Sequence, residues 1–285
     1  MLLKKFLPAT IVFAFALVFS ASFVWAIPPL SSATLDTPGT DQTLFLPPAV
    51  DNANVISLGT AFDSGSGQMV EGLAIIHRQK NPAKPGGAKP GTGTCYGYLS
   101  QGARWKTVEP WIVNPANTRG LGGMTVFNIL ENGVAKWENA TDGNVTNSFG
   151  IDVFGPGGST SATLVADTAS PDNLNEVYFA DITGSGTIAV TIVWGIWGGP
   201  IPQRQLVEWD QIYDDVSFDW SAESSGVSGK MDFDNIATHE LGHSFGMGDL
   251  YNTCTQETMY GYAGNGETQK RDLNSGDISG IDKLY

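Results

Sequence analysis

The sequence is poor in cysteine, histidine and basic side chains, and each shortage excludes a class of function. Among 285 residues there are two cysteines, three histidines, and 15 Lys and Arg against 29 Asp and Glu, for a formal net charge of −14. Two cysteines are too few for a small disulfide scaffold, a four-cysteine zinc finger or an iron–sulfur cluster. The acidic excess argues against nucleic acid or an acidic membrane as partner, because phosphate binding needs clustered basic residues.

Glycine, proline and aromatic residues are plentiful. The chain has 35 glycines, 15 prolines and eight tryptophans, and 41% of its residues are hydrophobic. This apolar content is sufficient for a folded core and does not resemble that of a disordered chain. The glycines and prolines indicate short strands joined by many turns rather than a helical bundle.

The first 26 residues have the pattern of a secretory signal peptide. Lys4 and Lys5 precede an apolar run from Phe6 to Phe23, and a small residue, Ala26, marks the expected cleavage site. An uncleaved anchor is the alternative, because the run is just long enough to span a bilayer. We therefore expect a secreted chain, or one tethered at the cell surface, with no other membrane association.

Export also bears on the two cysteines. In an oxidising compartment Cys95 and Cys254 are expected to form a disulfide, which would close a loop of about 160 residues. The alternative is that Cys95 is a free thiolate that blocks a metal site from a pro-segment.

Composition divides the remaining chain at residues 81–94. This stretch is rich in Pro and Gly and contains neither apolar residues to bury nor helix formers, so it predicts a linker. We place residues 27–94 in an N-terminal region and residues 95–285 in the main domain. The N-terminal region is interpreted as a pro-segment or, alternatively, as a cell-wall or partner-binding domain.

Hydrophobic spacing predicts a mixed α/β fold for this chain. Runs of apolar and β-branched residues predict strands at Val70–His77, Trp105–Asn114, Glu176–Ala180 and Thr187–Trp194, and a further strand within 206–220. Apolar residues at helical spacing predict helices at 123–138, Phe233–Phe245 and Ser275–Leu284. Asp232 or Asp234 is the expected N-cap of the second helix and Ser275 that of the third.

Residues 239–249 carry the strongest chemical signal, His-Glu-Leu-Gly-His-Ser-Phe-Gly-Met-Gly-Asp. On a helix, His239 and His243 are one turn apart on the same side and can bind one Zn²⁺. The carboxylate of Glu240 can then reach a water at the ion. Gly246 can adopt a positive φ, end the helix and turn the chain, so that Asp249 supplies a third, oxygen ligand. Three protein ligands leave the open position typical of a catalytic zinc site.

A methionine completes the pattern. Met259 lies in Glu257-Thr258-Met259-Tyr260-Gly261, 16 residues after His243, where a tight turn with Met beneath the metal is the second half of the longer motif. With this turn and the closing segment 277–285, the chain resembles the metzincin metalloproteases, and within them the matrixin-like branch of bacteria and archaea. The third ligand departs from most members, which have His where this chain has Asp249, but snapalysin-like members also use Asp.

The resemblance implies a twisted five-stranded mixed sheet, an active-site helix, a Met-turn and zinc-dependent cleavage of protein or peptide substrates by a monomer. It implies that Glu240 is the general base. It also implies that the strand Thr187–Trp194 forms the cleft edge, where Ile188, Ala189 and Val190 pair with an extended substrate. Structural Ca²⁺ occurs in some metzincins, but no EF-hand-like ligand spacing is found here. The alternative function is a non-catalytic surface-binding or adhesion module that keeps the fold.

Polar residues outside the motif receive a plainer interpretation. The third histidine, His77, lies in a strand-like segment and is interpreted as a surface residue. The carboxylates of Asp210, Asp214, Asp215 and Asp219 are likewise interpreted mostly as solvated surface.

Overall fold

The computed structural model describes residues 42–47, 53–80, 94–251 and 253–285. The predicted signal peptide and residues 81–93 of the predicted linker lie outside the described residues. No helix within these described ranges combines the length and the apolar content needed to cross a membrane.

Eleven strands and three α-helices follow one another along the described chain. Their order is β1 (Thr43–Leu44), β2 (Val55–Asp63), β3 (Gln68–Gln79), β4 (Glu109–Val113), α1 (Gly123–Ala140), β5 (Phe154–Ser159), β6 (Glu176–Ile182), β7 (Thr187–Ile196), β8 (Gln205–Asp214), β9 (Trp220–Ser221), β10 (Met231–Asp232), α2 (Phe233–Ser244), β11 (Tyr262–Ala263) and α3 (Ser275–Leu284). All the predicted helices and strands are present. The strand β5 was not predicted, because four of the six residues in its sequence Phe-Gly-Pro-Gly-Gly-Ser are Gly or Pro, which are depleted in strands.

One mixed sheet organises the molecule. Its path is β11-β3-β7-β8-β6-β4-β5, with β1 paired to β6 and β2 paired to β3, which makes nine strands among the described residues. Strands β4, β5, β6 and β8 are mutually parallel, whereas β7 is antiparallel to both β3 and β8. The predicted α/β class with a mixed sheet is confirmed. The sheet is wider than the five strands expected, chiefly because β2, β3 and β11 extend it beyond β7.

The described strands of the N-terminal region belong to this sheet. Strand β3 lies between β7 on one side and β2 and β11 on the other. Its residues Ala74, Ile75 and Ile76 are almost fully buried. Residues 55–79 are therefore integral to the sheet, and the role of residues 27–94 as a pro-segment stays a prediction.

Apolar residues cover both faces of the sheet. On one face, α1 and α2 pack through Val126, Leu130 and Trp137 and a cluster of aromatic rings around Phe233. On the other face, a second cluster includes Ile76, Val190, Ile192, Trp194 and Ile212. Alternation along β7 sends Ala189, Thr191 and Val193 toward α2, which decides which side chains can reach the centre described below.

The ends of the helices follow local capping rules. Asp232 is the N-cap of α2, as predicted, and its carboxylate accepts a hydrogen bond from the amide of Asn235. Asn274, rather than the predicted Ser275, caps α3, and Asp277 completes a capping box with it. The Asp277 carboxylate also accepts hydrogen bonds from the amides of Thr258 and Met259. The last helix therefore holds the turn that contains Met259.

Candidate metal centre

Helix α2 presents two imidazoles to one point. His239 and His243 lie one turn apart and are fully buried. The Nδ1 atom of His239 is 2.7 Å from the carbonyl oxygen of Thr258, and that of His243 is 2.9 Å from the carbonyl oxygen of Met247. An Nδ1–H that donates to a carbonyl leaves Nε2 as the free lone pair, so both rings are oriented for metal binding.

A turn brings the third ligand atom to the same point. Gly246 has a φ of 101°, and its amide donates to the carbonyl of His243, so the helix ends there and the chain folds back. Asp249 Oδ1 then lies 3.2 Å from His239 Nε2 and 3.4 Å from His243 Nε2. The hydroxyl of Tyr251 donates to the other oxygen of Asp249 at 2.7 Å, which directs Oδ1 inward.

These three atoms have the spacing and the chemistry of zinc ligands. A tetrahedral ion with bonds of about 2.0–2.1 Å separates its ligand atoms by about 3.3–3.4 Å. His239 Nε2, His243 Nε2 and Asp249 Oδ1 are all buried, and none has a hydrogen bond among the described residues. Buried polar atoms without partners are rare in proteins, and here the three converge on one point. The donor set therefore fits Zn²⁺.

Burial and neighbouring charges both shift the pKa values of these ligands. Burial together with the neighbouring His77 lowers the pKa of His239 to about 4. Burial also lowers the pKa of His243, but the Asp249 carboxylate outweighs burial and raises this pKa to about 9. The two imidazoles in turn hold the pKa of Asp249 well below its usual range, despite its burial.

Met259 packs directly against α2, and its role as the Met-turn residue stays a prediction. It is fully buried, and a Cβ built on Gly242 would lie 2.2 Å from its Sδ atom and 2.7 Å from Trp137. Only glycine at position 242 allows this close approach. The turn is also held by the segment that follows α2, because the amide of Leu250 donates to the carbonyl of Met259 at 2.8 Å.

Glu240 lies beside the ligands and both of its carboxylate oxygens are engaged. Oε1 is 2.8 Å from Nδ1 of His77, and Oε2 accepts a hydrogen bond of 2.6 Å from the hydroxyl of Thr191. Burial raises the pKa of Glu240 above its ordinary value, which suits a group that must accept a proton near neutral pH.

The interpretation of His77 as a surface residue is wrong. Its side chain is fully buried, its ring centroid is 3.9 Å from that of His239, and burial lowers its pKa well below the ordinary value. The alternation of side chains along β3 is the sequence signal that indicates this burial. Ile75 and His77 share one side of the strand, so a strand packed on the sheet would bury His77 along with Ile75.

The predicted substrate edge is not an open edge in this structure. Ile188, Ala189 and Val190 are fully buried, and β7 pairs along its length with both β3 and β8. The expectation of a free strand edge is therefore wrong for the chain as it stands, because β3 occupies that side of β7. A role for these three residues in substrate binding stays a prediction.

A second group of carboxylates lies on the opposite face of the sheet. Asp167, Glu208 and Asp210 each have an oxygen within 4.8 Å of the others. Glu208 and Asp210 are buried, as are Asp214 and Asp215, so the surface interpretation was wrong for Asp210, Asp214 and Asp215 and holds only for Asp219. Burial and the charge of Asp210 raise the pKa of Glu208 to about 10, and Glu208 Oε1 has no hydrogen bond among the described residues.

The two cysteines are joined. Cys95 and Cys254 form a disulfide with their Cα atoms 5.5 Å apart. It joins the segment directly after the predicted linker to the loop before Met259. Cys95 is thus not a free thiol at the metal, which was the alternative weighed for it.

Two histidines and a glutamate on α2, an aspartate after a glycine turn and a buried methionine against the helix form the arrangement by which the chain resembles the metzincins. The family model for matrixins, peptidase M10, matches residues 200–285. Human matrilysin is 45% identical over 62 residues, which make up 22% of this chain and 22% of matrilysin. The chain thus aligns with less than a quarter of that relative. Over this C-terminal part the chain is matrixin-like, as the motif indicated.

Proposed function

We propose that the protein is a secreted zinc-dependent endopeptidase that hydrolyses peptide bonds in proteins. One observation carries the proposal: three buried ligand atoms of His239, His243 and Asp249 converge without other partners, next to the carboxylate of Glu240. The matrixin-like sequence of residues 200–285 supports it. Secretion rests on the signal-peptide pattern of residues 1–26.

His239, His243 and Asp249 would hold the zinc ion through the atoms already named. When bound, the ion would supply Lewis acidity toward a water molecule and the scissile carbonyl. Because Asp249 is an anionic ligand, it weakens that Lewis acidity relative to a third imidazole. More of the proton transfer then depends on Glu240.

Glu240 performs the proton transfers in this proposal. Its raised pKa allows it to accept a proton from the attacking water and then to donate it to the leaving amine. Thr191 keeps one oxygen in place through its hydroxyl, so the other oxygen must be free for water. Tyr251 keeps Asp249 oriented, and Thr258 and Met247 keep the two imidazoles oriented.

The alternative from another class is a surface-binding module that retains the fold without turnover. Glu240 argues against it, since a buried, uncoordinated carboxylate beside three ligands is costly and has no use in a purely structural zinc site. The full set of ligands, base and Met-turn favours the enzyme.

The test measures metal and activity together. The purified full chain is expected to contain about one zinc per molecule. During a long incubation with casein it should produce cleavage that a chelator stops and added zinc restores. Glu240→Gln should keep the zinc and lose the cleavage. Stoichiometric zinc with measurable cleavage at the same rate by wild type and Glu240→Gln would remove Glu240 from the mechanism, and absence of zinc would overturn the proposal.

We further propose that the carboxylates of Asp167, Glu208 and Asp210 bind a structural Ca²⁺. An all-oxygen donor set is the one that Ca²⁺ prefers, whereas the nitrogens of the first centre prefer zinc. Oε1 of Glu208 is buried and has no hydrogen bond among the described residues. Burial and the neighbouring carboxylates raise the pKa values of Glu208 and Asp210, and a bound cation would offset both effects.

A further inference from the structure

We propose that His77, carried by strand β3, holds the candidate centre in a closed, latent form. The inference rests on the proposed peptidase function and adds a form of regulation of the same site. It makes the N-terminal strand, rather than a cysteine, the element that blocks the centre.

His77 occupies the oxygen of Glu240 that water needs. Its Nδ1 atom is 2.8 Å from Oε1, while Thr191 holds Oε2 at 2.6 Å. Each carboxylate oxygen can accept two hydrogen bonds, so the carboxylate is not saturated. The imidazole nevertheless lies against the oxygen that Thr191 leaves for water, and an attacking water must compete with His77 for it.

The imidazole also lies against the ligands. His77, His239 and Glu240 each have a donor atom within 4.8 Å of the other two, and the rings of His77 and His239 are 3.9 Å apart. The second nitrogen of His77, Nε2, is buried and has no hydrogen bond among the described residues. A histidine retained only for packing would be expected to satisfy both nitrogens. This one fits a position beside a metal ion and its base.

Strand β3 blocks the route of an extended substrate as well. It pairs antiparallel with β7 from Glu71 to Arg78, with His77 opposite Ala189 and Ile76 opposite Val190. On its far side β3 is held by β2 and, at its end, by β11. A peptide cannot pair with this side of β7 until β3 leaves it, since each backbone group can serve only one neighbour.

Obstruction of Glu240 by His77 and obstruction of β7 by β3 predict different responses to a small and a large ligand. Acetohydroxamate needs only the metal and the space beside Glu240, whereas a peptide hydroxamate of several residues also needs the edge of β7. Removing the imidazole of His77 opens the first space and leaves β3 in place. It should therefore improve binding of the small probe much more than that of the large one.

The experiment compares zinc-loaded, full-length wild type with His77→Ala by calorimetry. We expect His77→Ala to bind acetohydroxamate at least about tenfold more tightly, because the lost contact is a hydrogen bond to a carboxylate. The peptide hydroxamate should gain less than about threefold, within the scatter of such comparisons. The Co²⁺-substituted proteins should differ in visible absorption, since His77 lies against the ligand His239.

Two further variants keep the result interpretable. Ile75→Ala removes a buried side chain from the same strand and the same side but leaves His77 in place, so it should bind both probes as wild type does. His77→Ser frees the same space and keeps a hydroxyl for the buried neighbours. It should reproduce the gain if His77→Ala does not fold.

Three results would overturn the inference. Equal acetohydroxamate affinity in wild type, His77→Ala and His77→Ser, all with stoichiometric zinc, would leave the peptidase proposal standing and remove the latch. An equal gain in Ile75→Ala would assign the effect to loosening of β3 rather than to His77. Failure of wild type as well as every variant to bind zinc would overturn the peptidase proposal, and the latch with it.

Discussion

The two sides of the candidate centre come from different parts of the chain. The ligand side lies within residues 239–259, on α2 and the turns that follow it. The base side brings His77 from β3 and Thr191 from β7 onto Glu240, across sequence separations of 163 and 49 residues. The ligand side is a local motif, whereas the base side exists only because the sheet places two strands against α2. The local side defines which metal can bind, and the long-range side decides whether the site can be used.

The largest expected effect is a loss of bound zinc when a residue on the ligand side is replaced, but not when one on the base side is. His243→Ala removes one of three converging ligand atoms, so zinc per chain should fall from about one to near zero after dialysis. Elemental analysis measures this directly. His77→Ala, on the other side of the centre, should keep its zinc. Equal zinc in His243→Ala and wild type would show that the metal lies elsewhere.

The next effect concerns the hydrogen bond that Thr191 of β7 donates to Glu240. Thr191→Val keeps the shape of the side chain but removes the hydroxyl that donates to Glu240, which leaves a buried carboxylate oxygen unpaired. The free energy of unfolding should fall by about 1–3 kcal/mol, measured by denaturant titration. Thr191→Ser keeps the donor and should lose less. A Val variant as stable as wild type would mean that this hydrogen bond contributes nothing to the base side.

A comparable effect is expected on the ligand side, at the contact between α2 and Met259. Gly242→Ala places a Cβ 2.2 Å from Met259 Sδ and 2.7 Å from Trp137, so the Met-turn or the helix must shift. Overpacking of this kind costs about 1–3 kcal/mol. Gly133→Ala, at the contact of α1 with α2, meets only the tip of Leu241 at 2.5 Å and should cost less. Thermal denaturation of both variants tests whether the close approach is specific to position 242.

The last effect lies on the opposite face of the sheet, away from both sides of the candidate centre. The pKa of Glu208 is raised from 4.5 to about 10, so between these pH values the folded state keeps a proton that the unfolded state has lost. Stability without Ca²⁺ should therefore fall as the pH rises through this window. Millimolar Ca²⁺ should remove the fall, and Glu208→Gln should flatten it with or without Ca²⁺. A pH dependence that Ca²⁺ does not change would contradict the calcium proposal.

Much of the fold was predictable because its signals are local. The helices α1, α2 and α3 and the strands β6, β7 and β8 follow from hydrophobic spacing and from caps such as Asp232. The strand β5 was missed because Phe-Gly-Pro-Gly-Gly-Ser is dominated by Gly and Pro, which give no strand signal although the backbone still pairs with β4. The width of the sheet was missed because pairing partners are chosen in three dimensions and leave no periodic trace in one segment.

The candidate centre divides in the same way. The spacing of His239, Glu240, His243 and Asp249 was sufficient to predict that their side chains lie together, since helix periodicity and one glycine turn set that geometry. The partners of the base could not be predicted. Nothing near His77 in the sequence indicates α2, and its burial depends on β3 packing against β7.

The sequence by itself therefore determined which residues meet on the ligand side of the candidate centre. A short run of residues brings together two imidazoles, two carboxylates and a methionine, because their geometry is set by one helix and two turns. Only the tertiary structure decided that a distant strand lies on the same site and occupies the base, because that contact depends on which strands share the sheet.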